Sequence, residues 1–417
     1  MPINLARRAF LQRMVTSVGK VPSLNPLSFG PKIVDLSTFM TPEQMQNMKD
    51  RTLVVVQLSG GNDGINTLIP YSEQAYYNLR PTLGISKNDV LQLDGNVALH
   101  PNMTGMRGLF KDNHVAIVQG VEYPNPNLSH YESMSIWQTA SVDTPSSTGW
   151  LGRYLDNVDS SINAVNLDDL LEPAMIGSKQ RAMAIEGLQT FKVNSLTKNS
   201  PATQAENSLR DLDSIQCSSC QEYNSLVNTM MEAGLDALTS SEIVQQAAQT
   251  YQTSVTYPKN DFSNRLKLAA QIITSSIKPT VVYLQIGGFD THANQKNTQA
   301  NLLKTVSDGI SAFYQDMDSK DKAGNTVIMT FSEFGRRVKE NGSAGTDHGT
   351  AEPMFLVSGR INAGLLGTYP SLDDLDANGN LKFQVDFRQV YATVLEDWLG
   401  VDPTQVLSGT FQKLPLF

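Results

Sequence analysis

Histidine and cysteine are the scarce residues of this chain: five and two among 417 positions. Charge is also sparse, at 18% of residues against the ~25% of an average soluble domain. No window approaches the ~18 uncharged apolar residues of a membrane helix, no Lys/Arg cluster forms, and no internal repeat is visible. With 32 basic against 41 acidic residues the net charge is −9, a surface that repels nucleic acid. The 40% hydrophobic content supplies a large core, which excludes intrinsic disorder as a description of the whole. What remains is a globular α/β-sized chain in which the place of each histidine (His100, His114, His130, His292, His348) is informative.

The two cysteines stand together as Cys217-Ser218-Ser219-Cys220. A C-x-x-C can be redox-active, half of a zinc site or a local disulfide. Tetrahedral zinc fails for want of a second pair or a nearby histidine, and no thioredoxin-like strand precedes the motif. A structural disulfide in an oxidising compartment is the expectation. The first line carries Ala6-Arg7-Arg8-Ala9-Phe10-Leu11-Gln12, an Arg pair before two hydrophobic residues, similar to the twin-arginine export signal. The following stretch, Met14 to Gly19, is short, Lys20 interrupts it, and no A-x-A site follows, so a basic arm docking on the protein is the alternative. Residues 1–50 are therefore read as a signal or arm, and the location as periplasmic or extracellular.

Leu53 to Leu58 is a β-branched apolar run opening into glycines, the pattern of a buried strand. His114 to Gly120, Thr280 to Ile286, Thr326 to Phe331 and Met354 to Ser358 repeat it, with helical periodicity over Thr298 to Tyr314 and Phe387 to Leu399. Alternating strands and helices predict a doubly wound, mostly parallel sheet with helices on both faces over 51–417. The stretch 157–278 is rich in Ser, Gln, Asn and Thr, with helical patterns at Glu222 to Ala237 and Asn264 to Ile277, and reads as a helical insertion or cap.

Polar motifs collect where the strands end: Gly60-Gly61-Asn62-Asp63-Gly64, Gly287-Gly288-Phe289-Asp290-Thr291-His292 and Ser332-Glu333-Phe334-Gly335-Arg336. Gly345-Thr346-Asp347-His348-Gly349-Thr350 stands before the fifth strand. Ligands of open α/β sheets bind beyond the carboxyl ends of strands. Asp63, Asp290, His292, Glu333, Asp347 and His348 are thus candidate ligands of one or two divalent ions, Zn, Mn, Mg or Ca, and paired ions ~3.5–4 Å apart clamp phosphoryl or sulfuryl oxygens. A lone Asp after two glycines is usually a turn residue; four such motifs together argue for metal. Ser129 opens a predicted helix, and Glu132 three residues on completes an S-x-x-E capping box. A hydroxyl at a helix start is equally placed to attack a bound anion. His130 is a candidate ligand or acid/base, and Arg336 a candidate anion clamp. His100 and His114 read as structural, Trp137 and Trp150 as packing residues.

Taken together, L-S-G-G-N-D-G-x-N-T, Y-P-N-P-N-x-S-H, G-G-F-D-T-H, S-E-F-G-R and T-D-H-G-T resemble the bacterial family called domain of unknown function 1501, whose members often carry twin-arginine signals. That family is similar to the alkaline phosphatase and sulfatase superfamily of metal-dependent hydrolases. The resemblance covers roughly 51–156 and 280–400. It implies Asp63 as a ligand near the nucleophile, Ser129 as nucleophile, and Asp290, His292, Glu333 and His348 as ligands. Phe334 occupies the place of an expected histidine, which favours one metal or a harder, oxygen-ligated ion. The C/S-x-P-S-R nucleophile of sulfatases is absent. The leading expectation is an exported hydrolase of small anionic phosphate or sulfate esters. The rival is a non-catalytic extracytoplasmic binding or assembly protein, with a protein partner, that keeps the fold.

Overall fold

The computed structural model describes residues 50–158, 164–168, 170–178, 182–184 and 249–417. The Arg7-Arg8 motif, the Cys217/Cys220 pair and the Glu222 to Ala237 helical pattern lie outside the described residues.

Strand β1 (Thr52–Leu58) is buried along its whole length. Successive side chains of a strand face opposite ways, so Val54 and Val56 enter one core and Leu53 and Val55 the other. A run apolar on both faces has no solvent side, and this places β1 in the sheet interior. Each such side chain contributes about 1.5–3 kcal/mol on burial. β8 (Val281–Ile286) and β9 (Thr326–Phe331) flank it, both parallel, with Leu53 opposite Val281 and Thr52 opposite Thr326.

β2 (Leu68–Ile69), β3 (Leu91–Gln92) and β4 (Ala98–Leu99) pair in a small separate sheet; the main one adds β5 (Val115–Glu122), β6 (Ala164–Asn166), β7 (Ala182–Ala184), β10 (Glu352–Val357), β11 (Gly364–Leu366) and β12 (Val385–Asp386). It runs β11-β5-β10-β9-β1-β8-β6-β7, with β12 also on β5. Among the described strands of this main sheet β10 alone runs antiparallel, against β5 and β9. One face is covered by α1 (Thr104–Lys111), α4 (Asp261–Ile273) and α5 (Gln295–Asp318). The other is covered by α2 (His130–Thr139), α3 (Trp150–Asp156) and α6 (Phe387–Thr393). This is the doubly wound, mostly parallel α/β sheet that the alternating pattern predicts.

Three differences from the sequence reading have physical causes. β5 runs two residues past Gly120, carrying the fully buried Glu122, because Val121 and Glu122 pair with the short β12. The helix from Phe387 stops at Thr393 and becomes a π-turn over Val394–Trp398. Within 157–278, β6 and β7 extend the sheet beyond β8, and α4 covers one face. Strands of three residues are too short to show a period. α4 is capped by Asn260, whose side chain accepts the Ser263 N–H at 2.8 Å.

The carboxyl ends of β1, β8 and β9 share one edge of the sheet, and the loop entering antiparallel β10 arrives at that same edge. The strand-end motifs therefore meet there.

Candidate metal centre

Two glycine positions let the loops close on one another. Gly60 has φ +120, and a Cβ there would lie 2.5 Å from the backbone nitrogen of Asp290. At Gly345 a Cβ would lie 2.2 Å from the carbonyl carbon of His292. The first, second and last motifs thus touch backbone to backbone.

Asp290 stands at the centre. Its Oδ2 is 3.4 Å from His130 Nε2, and its Oδ1 is 3.0 Å from His292 Nε2 and 3.4 Å from His348 Nε2. His292 Nε2 and His348 Nε2 are 3.0 Å apart. One donor atom from each of His130, Asp290 and His348 lies within 4.8 Å of the others. Tetrahedral ligands bound at 2.0–2.1 Å, the range of Zn–N bonds, stand about 3.3–3.4 Å apart; the contacts of Asp290 and the His292–His348 pair are of that size, while His130, Asp290 and His348 together spread over as much as 4.8 Å.

The other nitrogen of each ring decides what these atoms are. His348 Nδ1 lies 2.8 Å from the Leu128 carbonyl, which can only accept, so Nδ1 carries the hydrogen. His130 Nδ1 is 2.8 Å from Glu333 Oε1, and His292 Nδ1 is 3.3 Å from Asp347 Oδ1. Each neutral ring therefore donates from Nδ1 and keeps its lone pair on Nε2. Three lone pairs and a carboxylate facing one another repel unless a cation lies between them. His130 Nε2 is buried and, among the described residues, has no hydrogen-bond partner. An imidazole with one nitrogen held by a carboxylate or carbonyl and the other left for a metal is the usual second-shell arrangement, and His130, Asp290, His292 and His348 fit a divalent ion.

Electrostatics agree with the geometry. Burial opposes the Asp290 charge, but the hydrogen bond and charge of Arg336, with His130 and His292, outweigh it and hold the carboxyl below its usual range. Asp347 is held low chiefly by its hydrogen bond from Asn341, against a smaller effect of burial and with help from His292. Burial lowers His348, keeping it neutral. The hydrogen bond to Glu333 raises His130, so without a cation that ring holds a second proton more firmly than usual.

Several residues expected as ligands stand elsewhere. Asp63 does not reach the cluster: its buried carboxylate pairs with Arg80 Nη1 at 2.5 Å and accepts from Gln295 Nε2 and the Asn66 N–H. Arg80, which nothing in the sequence singled out, also donates to the carbonyls of Val338 and Arg337. Glu333 and Asp347 orient His130 and His292 rather than facing the shared point themselves. Glu333 additionally accepts the Gly60 N–H at 2.8 Å. His130 Nε2 faces Asp290 together with the His292 and His348 rings.

Arg336 forms no helix; it bridges to His348 as extended chain. Its guanidinium is buried and every nitrogen is committed, to the carbonyls of Gly60, Gly61, Phe289 and Thr346 and to Asp290 at 2.8 Å. It braces three loops and, with a side chain fully buried, presents no open face to an anion. Phe334 is buried, its ring 4.8 Å from that of His130 and 4.5 Å from that of His348. An apolar wall stands where the resemblance expects a ligand.

Ser129 is the N-cap of α2, but its side chain makes no capping bond and Glu132 is exposed, so the capping box does not form. Its N–H donates instead to Asn127 Oδ1 at 2.8 Å. The hydroxyl is exposed and, among the described residues, has no hydrogen-bond partner. Ser129 stands between Leu128, which anchors His348, and His130. His100 is buried, accepts the Asn102 N–H and is lowered to about 4 by burial; His114 stacks on Tyr314. Neither adjoins the cluster's donors.

No curated protein matches this sequence at a significant level. Among solved structures the chain is similar to a zinc complex of the C-terminal periplasmic domain of EptC from Escherichia coli, at 9% identity over 74% of this chain and 73% of that one, TM-score 0.38. It is similar to the lipoteichoic acid synthase LtaP from Listeria monocytogenes, at 9% over 87% and 75%, TM-score 0.40. It is also similar to the alkaline phosphatase of the Antarctic bacterium TAB5, at 11% over 74% and 92%, TM-score 0.32. Likenesses this distant say nothing of the reaction. The model of the family described as "Protein of unknown function (DUF1501)" matches residues 50–414, and the chain belongs to that family.

Proposed function

We propose that this protein is an exported hydrolase of phosphate or sulfate esters working with one divalent ion. The observation that carries the reading is the convergence of three Nε2 lone pairs on the Asp290 carboxylate, with each Nδ1 held by an acceptor. A donor set of His130, Asp290 and His348, with His292 beside it, suits zinc, then manganese, over calcium or magnesium, and three ligands leave a position open to an ester. One ion rather than two follows from Phe334 beside the site and from Arg80, which neutralises Asp63. Export rests on the Arg7-Arg8 motif. No helix among the described residues is long and apolar enough to cross a membrane.

Bound at this site, a divalent cation supplies a Lewis acid for the ester oxygens. The chain supplies the rest. Ser129 is the nucleophile, at a helix start whose free N–H groups favour an anion. A bond forms from Ser129 Oγ to phosphorus or sulfur as the bond to the leaving alcohol oxygen breaks. The serine proton passes to solvent and the leaving oxygen takes one up. Water then cleaves the seryl ester, releasing the acid and restoring the hydroxyl. Glu333 and Asp347 fix the rings of His130 and His292, and Arg336 holds Asp290 in place.

The test is elemental analysis after loading with Zn, Mn, Mg or Ca, together with a screen of mono- and diester phosphates and sulfates. Loss of bound metal in Asp290→Ala plus His348→Ala, and loss of turnover but not metal in Ser129→Ala, are expected. Absence of metal in the parent protein refutes the site. Metal without turnover of any ester leaves the non-catalytic binding or assembly role.

A further inference from the structure

Resting on that reading, we propose that the site takes singly charged esters, a phosphate diester or a sulfate monoester, in preference to doubly charged phosphate monoesters, and that Tyr131 receives the ester's organic group. The charge around the site is the first ground. The carboxylates of Asp290, Glu333 and Asp347 surround it, and Arg336 together with one divalent ion balances them to zero. Arg337, part exposed, adds its charge between Asp347 and Asp376, and Asp376 cancels it. Asp63 and Arg80 form a closed pair.

A dianion would therefore bring two uncompensated charges into a neutral centre on a chain of net −9, and a monoanion one. Dehydrating a charge is costly unless a partner replaces the water. Arg336 cannot be that partner, since its nitrogens are committed to protein oxygens. Phe334 offers a ring and no hydrogen bond. A diester or sulfate monoester makes the smaller demand.

The organic group is the second ground. Tyr131, one residue past His130, is 68% exposed; with Leu170 it is one of two exposed large hydrophobics among the described residues. It lies on the first turn of α2, beside Ser129, on a chain stiffened by Pro124 and Pro126. An aromatic ring, with only two side-chain angles to fix, stacks on an aryl or sugar group at small cost in conformational entropy.

The experiment compares phenylphosphonate, a dianion above neutral pH, with its monomethyl ester, a monoanion, as ligands of the zinc-loaded protein by titration calorimetry. The monoester should bind at least about tenfold more tightly, the effect of one poorly compensated charge. Tyr131→Ala should weaken it by about three- to tenfold and leave methyl methylphosphonate unchanged. Equal or tighter binding of the dianion, or binding of neither phenyl compound, overturns the charge argument; an unaffected Tyr131→Ala overturns the stacking. Turnover of bis-p-nitrophenyl phosphate and p-nitrophenyl sulfate should exceed that of p-nitrophenyl phosphate. The reverse order sinks this inference and leaves the hydrolase standing. Monoanion preference without any turnover sinks the hydrolase and leaves the selectivity.

Discussion

Replacing Glu333 by Gln tests whether the tautomer of His130 makes the metal centre. Glu333 Oε1 faces both His130 Nδ1 and the Gly60 N–H at 2.8 Å, and its Oε2 lies 3.1 Å from the Gly60 N–H and 3.1 Å from Ser332 Oγ. A glutamine must turn its NH2 to one of these sides. If it stands at the Oε2 position, it meets the Gly60 N–H at 3.1 Å, donor against donor, and pushes the side chain away from the ring. If it faces His130, Nδ1 must accept, the ring hydrogen moves to Nε2, and the lone pair needed at the centre is gone. Losing such an outer partner typically costs 10–100-fold in metal affinity, about 1.4–2.8 kcal/mol. The assay is competition for zinc against a chromophoric chelator, with the metal-free protein's unfolding followed separately. An unsatisfied buried N–H by itself costs about 1–3 kcal/mol of stability. Unchanged affinity in Glu333→Gln, with affinity lost in His130→Ala, refutes the tautomer argument. Unchanged affinity in both removes His130 from the donor set.

Other perturbations give equally direct readings. Arg80→Met leaves Asp63 buried without its partner and should lower stability by about 3–5 kcal/mol in denaturant unfolding; a loss under about 1 kcal/mol would show the pair to be replaceable. Ser129→Ala should change stability by less than about 0.5 kcal/mol, since the hydroxyl does not cap its helix; a larger loss on melting would restore a structural role. Glu172 is raised by burial to about 7, so the folded state holds its proton over a window where the unfolded chain, at 4.5, releases it. Stability therefore falls as pH rises from about 4.5 to about 7 and stays lower above, by at most about 3 kcal/mol. Glu172→Gln, which can still accept from Gln138, should flatten this slope, and an unaltered slope in melting against pH would assign it elsewhere.

Much of the site was legible because its chemistry sits in short strings. Asp290 and His292 follow one strand and His348 precedes another, and residue type with place in the string was enough to nominate them. The roles of the other acids were not legible. Asp63, Glu333 and Asp347 are all carboxylates in glycine-rich loops; whether each meets a metal, an imidazole or a guanidinium depends on a partner far along the chain. Glu333 meets His130 from 203 positions away, and Asp63 meets Arg80 in a sequence with no motif to mark it. Arg336 looked free to clamp an anion because a sequence does not record that four carbonyls would surround it. Ser129 and Glu132 have the letters of a capping box, yet the Ser129 N–H turns to Asn127 and the box stays open.

The sequence by itself determined the five longer strands, the layers they demand and the edge where polar residues gather. These follow from hydrophobic period and from glycine at close approaches, which act over a few residues. Only the tertiary structure decided which acids orient and which could coordinate, that His130 is a donor atom, and that Arg80 answers Asp63. Such choices turn on which atom carries a hydrogen and which a lone pair, in loops that adjoin only once the sheet is folded.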